Sequence, residues 1–412
     1  MINLGVLGNG TVGSGVVELI EKNLEYIKKR TGKEIFLSKI LVKNPEKHFE
    51  SDYKNIITND INEFYDEKIN MIVEVMGGLH PAYEYIKDFL NMKKHVVTAN
   101  KDVVAKYGEE LSSIAEKNGV SFRFEASVAG GIPIIKPLQE CLAGNNISDI
   151  RAILNGTTNF ILSKMFNENL EYNEALKEAQ RLGFAEANPE ADIMGYDAAR
   201  KLAILSSISY YEKVDWESIL TEGITEIDEV DIQIAKKLNC KIKLLAVSSK
   251  ETEGVYAAVR PSFVSEHGYI GKVNDEFNGI LVEGDAVGEV FFLGKGAGKL
   301  PTASAVLGDI LNVLENNNQR SMFVSTAPRP IITKWKKKAQ WIIRLHGQSK
   351  DTLRALVREY FKEVCEVDFE LPEVYAAVVH AENEEYIDSI IAKLKNFKEV
   401  EKVKAFIKFD GI

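Results

Sequence analysis

Cysteine is scarce in this chain: Cys141, Cys240 and Cys365 are all it has in 412 residues. Three scattered thiols build neither a disulfide framework nor a zinc site. No apolar run nears the roughly 18 residues needed to span a bilayer. The opening Met-Ile-Asn-Leu-Gly-Val-Leu-Gly lacks the basic leader of a signal peptide. With 10 prolines and 29 glycines, collagen-like and low-complexity architectures are also excluded. Positive charge is in deficit, 51 Lys and Arg against 61 Asp and Glu, for a net charge of −10. Such a surface repels phosphate backbones, which argues against nucleic acid as a partner, although a local patch can still hold one phosphate. A soluble, reduced, cytoplasmic protein with no membrane partner is expected, roughly two to three ordinary domains long.

What is present is a change of rhythm along the chain. Strands are expected at residues 2–7, 36–42, 71–75, 95–98 and 121–125, with helices at 15–30 and 81–92. That alternation predicts a parallel sheet covered by helices. From about Ile132 the pattern shifts. Helices are expected at 134–142, 170–182 and 196–210, strands at 243–247, 255–261 and 288–293, and a closing helix at 303–314. RAILNGTTNFIL (151–162) reads as a strand, an Asn155-Gly156 turn and a helix start. A polar break at 316–319 and prolines at 328 and 330 follow, then KWKKK (334–338), which reads as a solvated linker. The tail reads strand 339–345, helix 350–365, strands 366–371 and 374–380, helix 384–394, strand 400–408. That order suggests a small ferredoxin-like module.

Gly8-Asn9-Gly10-Thr11-Val12-Gly13 fits G-x-G-x-x-G between the first strand and the first helix. Gly8 suits the tight turn, Gly10 lets a pyrophosphate reach the backbone, and Gly13 lets helix and strand approach. The free N–H groups of the helix start then face the phosphates. A Rossmann domain binding NAD or NADP is the expectation. Lys43, and not an acidic residue, follows the second strand, and a cation there suits the 2′-phosphate of NADP, with Lys47 as a second contact.

Residues 183–205, GFAEANPEADIMGYDAARKLAIL, carry the densest chemistry. Asp197 and Lys201 lie four apart and share one helix face. On a surface such a pair is worth little. Within so apolar a helix it is costly unless it faces a cavity or further partners. Glu186, Glu190 and Asp192 add three carboxylates just upstream. Carboxylates gathered around a lysine suit a substrate ammonium beside a hydroxyl that exchanges a proton. Lys101, after VVTAN, falls at the carboxyl end of a strand, where open α/β sheets bind ligands.

Five blocks in order resemble homoserine dehydrogenase: GVLGNGTVGSGV at the start, VVTANK (96–101), NGTTNFIL (155–162), the 183–205 stretch, and GKGAGKLPTASAVLGDIL (294–311). The likeness covers residues 1 to about 318. It implies reversible reduction of L-aspartate 4-semialdehyde to L-homoserine with NAD(P)H. By similarity Lys201 is the catalytic lysine that exchanges the proton, and Lys101 is a second lysine beside the nicotinamide. Glu186, Asp192 and Asp197 would hold the amino acid. Thr98, Gly183 and Gly298 would join residues 8–13 around the cofactor. Glu125, Val128, Gly130 and Ile132 would form a monovalent-cation site, for example for Na+.

The resemblance further implies a nucleotide-binding domain of residues 1–133 plus 303–318 and a substrate-binding, dimerising domain of 134–302. A linker at 319–338 would lead to an ACT-like module at 339–412. A homodimer or higher homo-oligomer is expected. The module would bind an amino-acid effector such as threonine, but HGQSKDTL (346–353) replaces the usual Asp-Pro-Gly turn. Two other readings stay open here: another Rossmann amino-acid dehydrogenase, and a non-catalytic sensor of nucleotide and amino acid. A phosphorylating semialdehyde dehydrogenase is disfavoured, since no cysteine sits in a nucleophile setting.

Overall fold

The computed structural model describes residues 2–48, 52–315, 323, 329–368 and 370–409. The expected break at 316–319, most of the expected linker before residue 329, and the chain end after 409 lie outside the described residues. The first sheet is built from β1 (Ile2–Leu7), β2 (Ile35–Leu41), β3 (Ile57–Thr58), β4 (Met71–Glu74), β5 (His95–Thr98) and β6 (Phe122–Arg123). Its order is β3-β2-β1-β4-β5-β6 and every pairing is parallel. Helices α1 (Thr11–Lys22), α2 (Leu24–Thr31), α3 (Ala82–Asn91) and α4 (Lys101–Asn118) cross over between these strands. The order reverses direction at β1 and β4, and the crevice outside their carboxyl ends is where such sheets bind ligands.

The single helix expected at 15–30 is two helices. Asn23 leaves the helical region and donates its side-chain amide to the Leu19 carbonyl at 2.8 Å, taking an acceptor from the helix. The strand expected at 121–125 stops after two residues. Glu125 turns its carboxylate onto the backbone N–H groups of Ile134, Ile135 and Lys136 at 2.6–2.8 Å, which pulls the chain off the sheet. The helix expected at 134–142 is a short π-type turn at Pro137–Cys141.

The second sheet is mixed. Its strands β7 (Ile147–Ile153), β8 (Leu220–Thr221), β9 (Cys240–Glu251), β10 (Gly254–Ser265), β11 (Phe277–Gly284), β12 (Gly288–Lys295) and β13 (Ile331–Ile332) are covered by α5 (Gly156–Glu168), α8 (Tyr196–Tyr210) and α9 (Glu229–Lys237), with α6 (Tyr172–Arg181) packed on α5, and α7 (Glu190–Ile193) on α5 and α8. Helix α10 (Lys299–Glu315) returns to pack on α1. Strand β11 has no counterpart in the sequence reading. Gly279 interrupts its pattern because a Cβ there would stand 2.9 Å from the Phe291 ring on the neighbouring strand.

The tail folds as β14 (Ala339–Gly347), α11 (Lys350–Tyr360), β15 (Val364–Glu366), β16 (Val374–Ala381), α12 (Glu384–Leu394) and β17 (Val400–Phe409), the expected order of elements. Helix α11 is five residues shorter than expected, because Phe361 is extended and turns into the core. The strand expected at 366–371 forms earlier as β15. The module's strands run β17-β14-β16-β15, all antiparallel, and β17 joins the edge of β10 in parallel. One continuous sheet of eleven strands results. The lysines of the KWKKK run face carboxylates: Lys334 meets Asp388 at 2.6 Å, Lys336 meets Glu385 at 2.5 Å, Lys337 meets Glu251 at 2.8 Å and Lys338 meets Glu382 at 3.7 Å. Among the described residues no helix is long and apolar enough to cross a membrane.

Lys243 on β9 is 1% exposed, its amine donating to Asn159 Oδ1 at 2.8 Å and to the Val273 carbonyl at 2.5 Å. Burial, with Lys241 adding to it and Asp275 opposing, brings its pKa down to about 7. The unfolded chain therefore binds one more proton than the folded one from about pH 7 up to the ordinary lysine value near 10.4. Stability conferred at this position rises with pH across that window, by about 1.4 kcal/mol per unit. The check is urea unfolding of wild type and Lys243→Met at several pH values between about 7.5 and 9.5. The difference between them should tilt toward the wild type as pH rises, and parallel curves would refute it.

Candidate active site

The turn after β1 is built as the glycines require. Gly8 has φ +102°, and a Cβ there would lie 2.9 Å from the Val75 carbonyl oxygen. A Cβ on Gly13 would stand 2.1 Å from the Gly8 carbonyl oxygen, whereas one on Gly10 would meet nothing within 4 Å. So two glycines close the turn and the third leaves room above it. Asn9 Oδ1 is buried there without a hydrogen-bond partner among the described residues. A cleft of about 710 Å³ opens beside the turn, lined by Gly8, Gly10, Lys43, Lys47, Val75 and Met76 among others. Thr11 is exposed and Val12 half-buried in the first turn of α1.

Along the same edge, Glu74 ends β4 fully buried. It accepts from Met76 N at 2.8 Å and from the Thr98 hydroxyl at 2.5 Å, and burial pushes its carboxyl up from the ordinary range. Thr98, expected at the cofactor, is thus sealed inside, its hydroxyl committed to Glu74. The Thr98 hydroxyl in turn accepts from Asn100 N at 3.0 Å, and Asn100 caps α4 through Val103 N at 3.2 Å. Lys101 is the first residue of that helix, so the chain Glu74–Thr98–Asn100 sets where its side chain starts.

Lys101 pairs with Asp197 Oδ1 across the gap between α4 and α8, and beside it Arg200 pairs with Asp102 at 3.1 Å. Asp197 is 2% exposed. Its Oδ2 accepts from Lys201 Nζ at 2.7 Å and from Asn155 Nδ2 at 2.9 Å. Lys201 Nζ also donates to the Leu154 carbonyl at 2.8 Å. The Asn155 amide donates its other proton to Asp192 Oδ1 at 2.7 Å, and the Thr157 hydroxyl bonds the Phe184 carbonyl at 2.6 Å. Lysine–aspartate–lysine, with a second aspartate alongside, is the centre of the site.

Electrostatics divide the two amines. Burial pulls Lys201 down, and the positive charge of Lys101 adds to it, so its pKa lies below the ordinary lysine value despite Asp197. For Lys101 burial also works downward, but the charge and hydrogen bond of Asp197 outweigh it and the pKa is raised. Burial opposes charge on Asp197 too, yet two lysine partners hold its carboxyl well below the usual range. Asp192 goes the other way, raised by burial and then by the charge of Asp197. Two amines of opposite tendency on one carboxylate suit a proton exchange at the weaker base and a fixed charge at the stronger.

Not every expected residue joins this centre. Glu186 is exposed, and its only hydrogen bond among the described residues is through its backbone carbonyl, from Gln180. Gly183 (φ +79°) and Gly298 (φ +123°) lie in exposed turns. Glu125 is buried with its carboxylate on three backbone N–H groups, and burial raises its pKa. Val128 and Ile132 are buried beside it, and Gly130 sits at φ +49°. No group of three His, Cys, Asp or Glu that could hold a metal ion occurs among the described residues. Residues that the sequence reading did not assign to the site are Asn155, Thr157 and Glu74. The available signal was the N-cap pattern at the head of NGTTNFIL, where Asn155 Oδ1 accepts from Thr158 N at 2.9 Å.

Comparison with known proteins gives a consistent result. Two family models match, described as "Homoserine dehydrogenase, NAD binding domain" over residues 8–125 and "Homoserine dehydrogenase" over residues 133–311. A homoserine dehydrogenase of Bacillus subtilis is 44% identical over 317 residues, 76% of this chain and 73% of that one. One of Helicobacter pylori is 41% identical over 340 residues, 82% of this chain and 80% of that one. The crystal structure of a homoserine dehydrogenase from Thiobacillus denitrificans superposes with a TM-score of 0.92 at 36% identity, covering 99% of this chain and 98% of that one. A hyperthermophilic archaeal homoserine dehydrogenase in complex with NADPH gives 0.65 at 31% identity over 76% of this chain and 97% of that one. With family models matching residues 8–125 and 133–311 and relatives matching most of its length, the chain belongs to the homoserine dehydrogenase family of NAD(P)-dependent oxidoreductases.

Proposed function

We propose that this protein interconverts L-homoserine and L-aspartate 4-semialdehyde, with NADP favoured over NAD. The observation that carries the reading is the Lys101–Asp197–Lys201 array, built on the residue that opens α4 just past the carboxyl end of β5. A bound NAD(P) would supply the hydride acceptor, or in reverse the donor, for C4 of homoserine. Lys201, whose amine is the weaker base, accepts the hydroxyl proton during oxidation and gives it back during reduction. Lys101 keeps its charge and anchors Asp197. Asp192 and Asp197 present carboxylates to the substrate ammonium, and Glu186, outside this centre in the free protein, would add a carboxylate from its exposed loop once substrate is bound. Gly183 and Gly298 wall the nicotinamide end.

Around the dinucleotide, the open space over Gly10, the unpartnered Asn9 Oδ1 and the N-terminus of α1 fit a pyrophosphate and its ribose. Lys43 and Lys47 on the cleft wall fit a 2′-phosphate, in line with the NADPH held by the archaeal relative. A spectrophotometric assay of homoserine oxidation with each cofactor tests the proposal, and no turnover of folded protein with either would overturn it. In the same assay Lys43→Glu should raise KM for NADP about tenfold or more and move KM for NAD by no more than about threefold. Equal effects on both would remove Lys43 from the 2′-phosphate.

A monovalent cation at Glu125, Val128, Gly130 and Ile132 belongs to the same proposal as a support for that turn. Oxygen donors are right for a hard cation, and Glu125 Oε2, which receives one N–H, keeps capacity for it. An amino-acid effector would sit at the β14–α11 turn, where Ser349 caps the helix. A rate unchanged by threonine would remove that part. A homo-oligomer formed through the second sheet completes the proposal.

A further inference from the structure

Asn155 stands where three parts of the site meet. It follows Leu154, whose carbonyl holds the Lys201 amine, and it caps α5. Its side chain is 5% exposed and fully used. Oδ1 accepts from Thr158 N at 2.9 Å and from the Thr158 hydroxyl at 3.1 Å. The two amide protons go to two different carboxylates, Asp192 at 2.7 Å and Asp197 at 2.9 Å. An amide NH2 has two protons to give. Because the cap fixes Oδ1, the direction of both is fixed too.

We propose that Asn155 is a positioning residue of this enzyme, its side-chain amide binding Asp192 and Asp197 side by side as the carboxylate pair that receives the substrate ammonium. Two carboxylates this near repel each other, and one donor shared between them offsets the repulsion without adding a charge that would compete with the substrate. The groups facing Asp192 are Asp197 and Lys201 from α8, Lys101 from α4, and Asn155 and Thr157 from the head of α5. Of these, Asn155 gives its shortest hydrogen bond. Without it Asp192 would hold a proton at higher pH, because burial and Asp197 already push that way. The inference rests on the reading of Asp192 as part of the homoserine site.

Two variants separate positioning from capping. Asn155→Ser and Asn155→Asp both keep an oxygen that can cap α5, while neither keeps the amide donors, and the aspartate adds a third negative charge. Asn155→Ser should melt close to the wild type, Asn155→Asp should melt lower because it buries a third carboxylate beside two others, and both should bind NADP unchanged. KM for homoserine should rise roughly tenfold to a hundredfold, the range one lost hydrogen bond to a charged group produces. The fall in kcat should be smaller, and the acid limb of kcat/KM should move up by about one pH unit or more. The larger KM effect belongs to Asn155→Asp. An unchanged KM and acid limb in folded Asn155→Ser would overturn the proposal. So would a loss confined to melting temperature, or one shared equally with NADP affinity. Wild-type turnover of homoserine is measured in the same series. If it is absent the reading of the function fails, and if it is present with Asn155→Ser unaltered only this inference fails.

Discussion

Replacing Lys201 with methionine is expected to lower kcat for homoserine oxidation by roughly a hundredfold to ten-thousandfold, the usual yield of a positioned proton acceptor, while leaving NADP affinity and folding in place. The fold should tolerate the change because Asp197 loses one lysine but keeps Lys101 and Asn155, and the only other donor lost is the one to the Leu154 carbonyl. Lys201→Arg is the sharper variant. Its guanidinium retains the charge beside Asp197 but does not release a proton in the working pH range. If charge alone served the reaction, arginine would rescue it. If proton exchange is the role, arginine fails as badly as methionine. The wild-type rate of oxidation should climb with pH through a pKa below the ordinary lysine value, since burial and Lys101 both favour the neutral amine. Reduction, which needs the protonated amine, should fall through the same limb. Turnover within a few-fold of wild type in Lys201→Met, or a collapse of cofactor binding, would take the proton role away from this residue.

How far such a site can be read before the fold is known follows from the range of its interactions. Asp197 and Lys201 were legible because the pair is local, four residues apart on one apolar helix. The glycine turn was legible because each glycine answers a steric demand within the same unit. Glu125 and Thr98 were placed by likeness, but their neighbours decide what they do. Three backbone N–H groups nine to eleven residues further on claim the carboxylate of Glu125, and a carboxylate on the next strand claims the hydroxyl of Thr98. Asn155 could be seen only as a helix cap, because its other partners lie 37 and 42 residues downstream. Strand β11 escaped for a similar reason: Gly279 looks like a break until Phe291 is laid against it. The breaks that were missed, at Asn23 and Phe361, are single side chains competing with a helix that the apolar pattern alone would extend.

Glu384→Ala is expected to destabilise the whole molecule by about 3–5 kcal/mol, the cost of leaving a buried charge unpaired. Arg260 on β10 and Glu384 at the start of α12 meet through two parallel bonds of 2.7 Å, with side chains 7% and 3% exposed. Glu384 also accepts from Trp335 N at 2.8 Å. Burial alone would raise its carboxyl, but the Arg260 guanidinium holds it below the ordinary glutamate value. Stability from the pair is therefore present above that ordinary value and is lost as pH falls toward the lowered one. A second cluster ties the same parts together, Arg344 and Lys404 from the module gripping Asp228 and Asp231 at the head of α9 at 2.5–3.0 Å. With β17 continuing the sheet beside β10, and β10 packed on α8, the module shares its support with the helix that carries Asp197 and Lys201. Urea unfolding of Glu384→Ala should accordingly show one transition at lower denaturant, with activity and module fluorescence lost together. Replacing both partners, Arg260→Met with Glu384→Leu, should recover most of the loss, because two apolar chains leave no charge stranded. A first transition that removes the module and leaves turnover intact would mean that the tail is an appendage and not part of the frame that holds the site.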